Sequence, residues 1–373
     1  MTQDLLDLLD VAGLTGRGGA AFSTATKIRV ARKHRASLIV NACDGEIGAA
    51  KDAYVVAEHL DALVRGASIV AGRRRVRYAA HRGSATEARL REAGLDVLSA
   101  PGRYVASEET SLISLAQGGL ARPMTKRAPF VRGGTDSEGR RIRPTLVLNA
   151  ETVWRVAQVV DHGPEWFRRQ GLPGEPGPRL VAVGGAVESP GVLDVVTGTS
   201  LAEILAVAGA DPAHVGPVVV GGLGGVLLGR DEALRTAWSS AALAEFGGRI
   251  GPGVVHVLDQ RVCPVEEMGR WLDYAAGESA GQCGPCMFGL PSLAADWHAL
   301  ADFGPEGKPA RRRLAQRAQS LVDRGACRFP DGVAGLATSA LRVLDDHLAE
   351  HARGRCGAHP DLRRTDERHS FTH

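Results

Sequence analysis

Apolar and polar positions alternate along the first half of the chain in a way that predicts strands and helices by turns. Short apolar runs predict buried strands, and apolar residues spaced three and four apart predict helices. The predicted strands are 37–40, 75–80, 95–98 and 145–148, and the predicted helices are 60–71 and 85–93. Strands that alternate with helices are typical of an α/β fold with helices on both faces of a sheet.

A proline- and glycine-rich segment at 171–178 separates this part of the chain from the next. After it, apolar runs again predict strands, and Ser200 is a suitable N-cap for a short helix at 201–207. The predicted strands here are 180–187, 191–196 and 217–222. Strands joined by a single short helix predict a small α+β unit.

From Pro264 onward, apolar residues recur at helical spacing, which predicts a helical bundle. The predicted helices are 265–276, 290–303, 310–322 and 333–351. The polar end of the chain is predicted to be disordered, with Cys356 as a solvated thiol. We therefore expect domains at 1–175, 176–257 and 258–350, followed by a tail at 351–373.

The composition of the 373-residue chain is that of a globular protein, with 44% hydrophobic and 23% charged residues. The formal net charge of +3, without a basic stripe interleaved with aromatic residues, argues against nucleic-acid binding. No apolar run reaches the length of a membrane span, and Asp4 and Asp7 follow Met1 in place of a basic leader. We therefore expect a cytoplasmic protein without direct membrane insertion, whose six cysteines are reduced and free to bind metal.

Three cysteines are arranged in a way that suits an iron–sulfur cluster. Cys283 and Cys286 form a C-x-x-C pair, and Cys327 lies 41 residues after Cys286 in a separate segment. Cubane clusters take four thiolates, and Ala280 stands where a fourth cysteine would complete C-x-x-C-x-x-C. A dithiol redox pair and half of a zinc site remain alternatives on the spacing alone.

Three further segments carry polar or glycine-rich clusters. Residues 16–27 contain closely spaced glycines, whose backbone N–H groups can approach an anion, together with Arg17 and Lys27; a flexible loop is the alternative. Residues 41–48 follow a predicted buried strand, and ligands collect at the carboxyl ends of strands in open α/β sheets. Residues 104–110 place a tyrosine beside adjacent carboxylates at a helix start. Together these segments predict an anion-binding or cofactor site.

Taken in order, these segments resemble the flavin-containing, NADH-oxidising subunit of respiratory complex I (the 51 kDa or F-type subunit) and its relatives in NAD-reducing hydrogenases and formate dehydrogenases. The family's G-R-G-G-A-G-F-P-T-G-x-K segment is similar to residues 16–27, its N-A-D-E-S-E-P-G segment to 41–48, and its Y-x-x-G-E-E-T segment to 104–110. Its N-N-V-E-T segment, a G-P-E-W-F segment and its S-C-G-x-C-x-P-C cluster loop are similar to 148–152, 163–167 and 279–286. The resemblance extends over nearly the whole chain.

The resemblance implies a Rossmann-like FMN domain, a ubiquitin-like β-grasp (SLBB) domain and a C-terminal helical bundle that carries an iron–sulfur cluster. The residues that would surround FMN are Gly16, Arg17, Gly18, Lys27, Asn41, Asp44, Tyr104, Glu108, Asn149 and Thr152. Those that would face the nicotinamide nucleotide are Phe22, Glu46, Glu109 and Lys126, and the cluster ligands would be Cys283, Cys286 and Cys327.

The resemblance also implies an activity, in which NAD(P)H reduces FMN by hydride transfer and single electrons leave through a [4Fe–4S] or [3Fe–4S] cluster. The acceptor would be an iron–sulfur protein, either ferredoxin-like or a thioredoxin-like [2Fe–2S] subunit, or a quinone-reducing partner. A divergent stand-alone flavoprotein and one component of a larger complex both agree with this activity. A non-catalytic scaffold paralogue and a ligand-binding module built on the β-grasp domain are the alternatives.

The sequence departs from the family's pattern at several site positions. Ala280 replaces the first cluster cysteine, and Cys263 stands at a position that the family often fills with cysteine without using it as a ligand. Gly45 stands where the family has serine, and Ser107 stands where it has glycine. Cys43, Ile47, Ala50, Leu148, Ala21 and Ala25 are further departures. Weaker nucleotide binding and crowding at the flavin edge are expected from these changes.

Overall fold

The computed structural model describes residues 4–19, 21–126, 128–302 and 307–356, and these form sixteen α-helices and thirteen strands. The helices are α1 (Leu5–Ala12), α2 (Thr24–Lys33), α3 (Lys51–Glu58), α4 (Leu60–Ala71), α5 (Ala85–Glu92), α6 (Glu109–Ala116), α7 (Ala150–His162), α8 (Pro164–Arg168), α9 (Leu201–Val207), α10 (Arg230–Arg235), α11 (Ser240–Ala244), α12 (Pro264–Gly277), α13 (Leu290–Ala301), α14 (Gly307–Leu321), α15 (Phe329–Val343) and α16 (Asp345–His351). The strands are β1 (Ser37–Asn41), β2 (Val76–His81), β3 (Val97–Ala100), β4 (Gly134–Thr135), β5 (Arg141–Ile142), β6 (Thr145–Asn149), β7 (Gly171–Leu172), β8 (Glu175–Pro176), β9 (Pro178–Gly185), β10 (Gly191–Val196), β11 (Val215–Val220), β12 (Val226–Leu228) and β13 (Val254–Asp259).

A parallel sheet in the order β3-β2-β1-β6 organises the first half of the chain. Side chains alternate across it: Leu38 and Val40 pack with α1–α4 and α7, whereas Ile39 packs with α6 on the other face. The strand order runs from β1 to β2 and β3 on one side and to β6 on the other. The carboxyl ends of β1 and β6 therefore form a topological switch point, where Asn41 pairs in register with Asn149.

A second, mixed sheet follows in the order β10-β9-β13-β11-β12. Only the β9–β13 pair is parallel, and the other neighbours are antiparallel. Helix α9 packs on it through Leu201, Ile204 and Leu205, in a core that also contains Trp238. The Pro/Gly-rich segment before this sheet is a short hairpin of β7 and β8.

Helices α12–α16 surround a separate core that contains Trp271 and Trp297. Val219, Leu223 and Leu227 of the mixed-sheet unit belong to the same core, so the two units pack directly against each other. Among the described residues, no helix combines the length and apolar character needed to cross a bilayer.

Several element boundaries differ from those predicted. The predicted strand 95–98 is β3 at 97–100. The predicted strands 180–187 and 217–222 are β9 and β11, which begin and end two residues earlier. Their early ends follow from the positive φ of Gly185 and Gly221. The predicted helix 333–351 is two helices, since Leu344 turns out of helical geometry and Asp345 starts α16. The predicted helix 290–303 corresponds to α13, which ends at Ala301. The predicted last residue, 303, lies outside the described residues.

The predicted tail also begins too early. His351 is buried at the end of α16, and Cys356 is half-buried and packs against the helical core. The solvated thiol predicted for Cys356 is therefore wrong, because a hydrogen-bonded turn after α16 brings Cys356 against the helical core. The remainder of the predicted tail, 357–373, lies outside the described residues.

Candidate cofactor cavity and thiol cluster

A cavity of about 470 Å³ opens at the switch point of the parallel sheet. Its volume falls within the range of roughly 300–1,000 Å³ that is usual for small-molecule and cofactor pockets. The mixed-sheet unit and the helical unit complete its walls. Residues predicted to bind cofactor or nucleotide that line it are Gly16, Gly18, Lys27, Asn41, Asp44, Glu46, Tyr104, Glu108, Glu109, Lys126, Asn149 and Thr152.

The glycine loop covers one side of the cavity. The Gly16 N–H donates to the Phe22 carbonyl at 2.9 Å, and the Arg17 N–H donates to Thr152 Oγ1 at 2.8 Å, which ties the loop to α7. The backbone N–H groups of Gly18 and Gly19 have no partner among the described residues. An added Cβ at Gly18 would lie 3.7 Å from Asn149. The loop thus presents backbone donors at short range to a group in the cavity.

The side chain of Arg17 does not line this cavity, contrary to its predicted role. It is 2% exposed and donates to the Pro176 carbonyl at 3.0 Å. Burial and the nearby Arg179 lower the pKa of Arg17, while Glu151 and Glu175 counteract them. Arg17 therefore joins the glycine loop to the β7–β8 hairpin and is not part of the cavity lining.

The N-cap residues of two helices also line the cavity. Asn149 accepts from the Thr152 N–H at 3.1 Å and caps α7, and its amide donates to Asp52 at 3.1 Å. Glu108 accepts from the Thr110 N–H at 2.7 Å and caps α6. Burial raises the pKa of Glu108. Both side chains hold helix ends whose partial positive charge lies beside the cavity.

Asp44 is fixed in the loop after β1 by an unusual backbone conformation. Its φ is +47°, and its carboxylate accepts from the N–H groups of Asp52 at 3.1 Å and Ala53 at 2.7 Å, at the start of α3. Burial raises the pKa of Asp44, and the charge of Asp52 raises it further. The side chain of Asp44 therefore supports the shape of this loop.

A buried charge network lies beneath the same loop. The Lys51 ammonium contacts Asp52 at 2.9 Å and Glu151 at 3.5 Å, and all three side chains are almost fully buried. Burial would lower the pKa of Lys51, but these two carboxylates and Asp44 outweigh it and raise the pKa. Glu151 also accepts from the Leu180 N–H at 2.7 Å, which joins α7 to the mixed sheet. The network holds two walls of the cavity together.

Glu46 and Tyr104 link all three units at the cavity. The Tyr104 hydroxyl donates to Glu46 Oε2 at 2.7 Å, and Glu46 Oε1 accepts from the Leu223 N–H of the mixed-sheet unit at 2.8 Å. Tyr104 also contacts the helical unit, where its ring lies 4.4 Å from the Phe329 ring and its N–H donates to Glu278 at 2.7 Å. Burial raises the pKa of Glu46 to about 7, although these hydrogen bonds act to lower it.

Three charged side chains from different segments face the cavity near one another. Lys126 and Glu109 form an ion pair, whereas the Lys27 ammonium makes no hydrogen bond or ion pair within the part of the chain that the structure describes. Burial lowers the pKa of Lys27, with Glu109 raising it and Lys126 lowering it. A half-buried ammonium without a carboxylate partner fits an anionic or electron-rich ligand.

Gly45 and Ser107, both departures from the family's pattern, face each other across the cavity wall. An added Cβ at Gly45 would lie 2.1 Å from Ser107 Oγ and 2.8 Å from Ser107 Cβ, too close for either atom. Ser107 Oγ in turn donates to the Tyr104 carbonyl at 2.8 Å. The missing serine at 45 makes the room that the serine at 107 fills, so the two departures compensate each other.

Other predicted or departing positions lie away from the cavity lining. Phe22 is 53% exposed, although Ala21 and Gly16 beside it line the cavity. Cys43 is buried in the apolar cluster around Ile39, and burial raises its pKa far above that of a reactive thiol. Ala50 is exposed at the start of α3.

The three predicted cluster cysteines lie in one region of the helical unit. Cys283 and Cys286 flank the start of a π-helical turn at Pro285–Gly289, and Cys327 lies between α14 and α15. Burial raises the pKa of Cys286 to about 11, and the Cys283 charge adds to this. Burial also raises the pKa of Cys327 to about 12, with Glu108, Cys286 and Cys283 adding. The pKa of Cys327 thus depends on the charges of the other two cysteines and of Glu108, which lines the cavity.

The arrangement of these thiols fits a cluster better than a single ion. Within the described residues, Cys283, Cys286 and Cys327 do not form a set of ligand atoms that all lie within 4.8 Å, which one ion would need. A cluster of several irons holds its thiolates further apart. The Ala280 N–H donates to the Cys286 sulfur, so the position without a fourth thiolate lies directly beside Cys286. Cys327 also lines the cavity, which places a cluster ligand at its wall.

Sequence reasoning missed the parts of the wall that come from the other two units. Arg249, Gly251 and Pro252 of the mixed-sheet unit line the cavity, as do Arg328 and Phe329 of the helical unit. No local pattern marks them, because only tertiary packing brings them to the switch point.

Family models match two parts of the chain. The "Nuo51 FMN-binding domain" matches residues 9–158, and the "NADH-ubiquinone oxidoreductase-F iron-sulfur binding region" matches residues 266–351. The expected FMN and iron–sulfur cofactors and the resemblance behind them are thereby confirmed.

Curated relatives match along almost the whole chain. The F-type subunit of the NADH-quinone oxidoreductase of Mycobacterium tuberculosis (strain ATCC 25618 / H37Rv) is 28% identical over 94% of this chain and 85% of its own length. The HndC subunit of the NADP-reducing hydrogenase of Solidesulfovibrio fructosivorans is 25% identical over 95% of this chain and 78% of its own.

A solved structure also matches the fold. The NAD+-reducing [NiFe]-hydrogenase in the H2-reduced state superposes with a TM-score of 0.81 at 27% identity, and the match covers 93% of this chain and 62% of that one. The expected mixed α/β fold with a parallel sheet is thus confirmed.

Proposed function

Because the chain belongs to the family of NADH-oxidising flavoproteins that serve NADH-quinone oxidoreductase and NAD-reducing hydrogenase, we propose that it transfers a hydride from NAD(P)H to FMN and passes single electrons through an iron–sulfur cluster to a protein partner. One observation carries this proposal. The cavity that holds the predicted flavin residues is also lined by Cys327, a predicted cluster ligand. A short path from flavin to cluster is what such electron transfer requires.

The residues of the cavity fit FMN. When bound, FMN accepts the hydride and releases its electrons one at a time. The N–H groups of the glycine loop and the ends of α6 and α7 offer donors and positive potential for anionic groups. Lys27, without a carboxylate partner among the described residues, favours negative charge on a bound ring system. Asn41, Asp44, Tyr104 and Thr152 shape the remaining wall.

The nicotinamide nucleotide would enter beside Glu109 and Lys126. These two residues line the cavity and pair with each other, so they can orient amide and hydroxyl groups of a nucleotide. The exposed Phe22 ring, next to the cavity-lining Ala21, is available for stacking. Glu46 is held by Tyr104 and Leu223, and its role is to position the wall.

The helical unit would hold the cluster through Cys283, Cys286 and Cys327. The fourth iron of a [4Fe–4S] cluster would take an external ligand, or the site would hold [3Fe–4S]. Met287 and Phe288, which directly follow Cys286, are 50% and 68% exposed, and this apolar surface supports an approach by an iron–sulfur partner, ferredoxin-like or a thioredoxin-like [2Fe–2S] protein. A quinone-reducing partner and a stand-alone cytoplasmic flavoprotein fit the same scheme.

The order of the mixed sheet, with its parallel central pair and one packed helix, supports a ubiquitin-like β-grasp (SLBB) domain at 176–257. The FMN domain would then occupy 1–175 and the cluster-bearing bundle 258–350. In this arrangement the β-grasp domain contributes a cavity wall and joins the flavin domain to the bundle.

The visible spectrum of anaerobically purified protein, recorded before and after NADH is added, tests the proposal. We expect a flavin band that bleaches with NADH, over a broad absorption from the cluster. A chain that binds no flavin after reconstitution with FMN would overturn the proposal. A flavin band that stays unchanged with both NADH and NADPH would refute the hydride-transfer step.

A scaffold function without catalysis is the second candidate, and the missing thiolate at Ala280 is the observation that favours it. A scaffold would bind its partner proteins equally well with and without cofactors. The same spectra discriminate the two, since a scaffold shows no bleaching by NADH.

A further inference from the structure

A second group of potential metal ligands lies where the two ends of the helical unit meet, at Cys263 before α12 and at His351 and Cys356 at the end of α16 and after it. Cys263 Sγ, a nitrogen of His351 and Cys356 Sγ all lie within 4.8 Å of one another, and they form the one such group in the described part of the chain. Cys263 and His351 are buried, and Cys356 is half-buried. None of the three lines the cofactor cavity or belongs to the predicted cluster set.

The geometry suits one small ion. Cys263 Sγ and His351 Nε2 lie 3.3 Å apart. Zinc bonds of about 2.3 Å to sulfur and about 2.0–2.1 Å to nitrogen, at the tetrahedral angle, separate the two ligand atoms by roughly 3.6 Å. The observed pair is thus within a few tenths of an ångström of the edge of a zinc tetrahedron.

The imidazole of His351 is already oriented for ligation. Its Nδ1 lies 3.0 Å from the Ala301 carbonyl, which can only accept, so Nδ1 carries the proton. Nε2 then presents its lone pair toward Cys263. A backbone carbonyl that holds the second ring nitrogen of a metal-bound histidine is the usual support for such a ligand.

We propose that Cys263, His351 and Cys356 form a structural binding site for a single zinc-class divalent ion. Two thiolates and an imidazole are the ligands that zinc prefers, and the fourth tetrahedral position is left to water. Binding would release the thiol protons to solvent.

The placement of the ligands gives the ion a mechanical role. Cys263 is the N-cap of α12, His351 is the last residue of α16, and the supporting carbonyl of Ala301 ends α13. The ion therefore fastens the end of the helical unit to its beginning, next to the junction with the mixed sheet. This role is independent of the proposed electron transfer.

Metal content of the full chain, purified under reducing conditions and dialysed against zinc, tests the proposal. We expect about one zinc per chain in the wild type beyond any iron. The content should be retained in His347→Ala, a matched change one turn earlier on α16, and in Cys283→Ser, which alters the cluster set. It should fall at least tenfold in His351→Ala and Cys356→Ser.

Cobalt substitution provides a second readout that does not depend on activity. Cobalt(II) in a tetrahedral thiolate site gives intense visible and thiolate charge-transfer bands, which should appear in the wild type and Cys283→Ser and vanish in Cys356→Ser. Chelation should lower the melting temperature of the wild type and not that of Cys356→Ser. Three results would each overturn the proposal: no zinc or cobalt bound by the wild type, zinc lost in Cys283→Ser but kept in Cys356→Ser, or a Cys263–Cys356 disulfide found in place of the ion.

Discussion

The contact between Gly45 and Ser107 leads to a prediction about paired substitution. In Gly45→Ser the new Cβ would lie 2.1 Å from Ser107 Oγ, 2.8 Å from Ser107 Cβ and 3.1 Å from the Tyr104 carbonyl. The hydroxyl can rotate away only by breaking its 2.8 Å bond to Tyr104, and the Cβ of Ser107 cannot move without its backbone. Overpacking of this kind costs typically about 1–3 kcal/mol.

The double variant Gly45→Ser/Ser107→Gly should recover most of this loss, because the serine is then supplied from the other side. A coupling free energy of about 1–3 kcal/mol is expected, which is within the range measured for residues in direct contact. Ser107→Gly alone should lose only its hydrogen bond and gain backbone freedom, at about 1 kcal/mol.

Two quantities test this prediction: the FMN affinity, measured by quenching of flavin fluorescence, and the thermal midpoint of the flavin-free chain. Gly45→Ser should lower both, and the double variant should restore both toward the wild type. Gly102→Ser is the matched control, since an added Cβ there meets no atom within 4 Å. If Gly45→Ser behaves like Gly102→Ser, or if the double variant is as impaired as the two single losses added, the compensation argument is refuted.

Three further predictions concern the cofactors and the cavity. Ala280→Cys should raise the iron content of the reconstituted chain from about three toward about four per chain and change its electron paramagnetic resonance spectrum, since it adds a thiolate beside Cys286; an unchanged content would show that position 280 does not reach the cluster. Lys27→Met should weaken FMN binding about tenfold, or about 1.4 kcal/mol, whereas Lys33→Met at the exposed end of the same helix should not; equal affinities would remove Lys27 from the site. The folded-state pKa of Glu46, about 7, lies above its unfolded value of 4.5, so its contribution is fully present below about pH 4.5 and is lost as pH rises through 7. The flavin-free wild type should therefore lose up to about 3 kcal/mol relative to Glu46→Gln over this interval in denaturant titrations, and parallel curves for the two would contradict it.

Elements with strong local signals could be predicted from the sequence. The helices at Leu60–Ala71 and Leu201–Val207 and the strand at Gly191–Val196 match their predicted bounds, since apolar spacing, caps and turns agree there. Helix α7 was missed. Its polar residues Glu151, Arg155 and Gln158 recur at helical spacing, so the pattern was present in the sequence, although Val153, Trp154, Arg155 and Val156 are all buried.

The site shows the same division between local and tertiary signals. Asn41 and Asn149 could be placed because strand ends in a parallel sheet converge on one edge. Arg17 was misassigned, since a cation in a glycine loop predicts an anion ligand, yet packing against the β7–β8 hairpin turns it inward. Cys263 and His351, 88 residues apart, have no sequence spacing that marks a metal site.

The departures from the family's pattern do not all bear on function in the same way. At Gly45 and Ser107 one side chain is lost and another gained at the same point in space, and the cavity keeps its wall. At Ala280, by contrast, the Cys286 sulfur has only a backbone N–H from that residue, and no other cysteine takes the missing place among the described residues. The structure therefore favours a maintained flavin cavity joined to an altered cluster, which is the arrangement expected if hydride transfer is kept and the route of electrons out of the protein has changed.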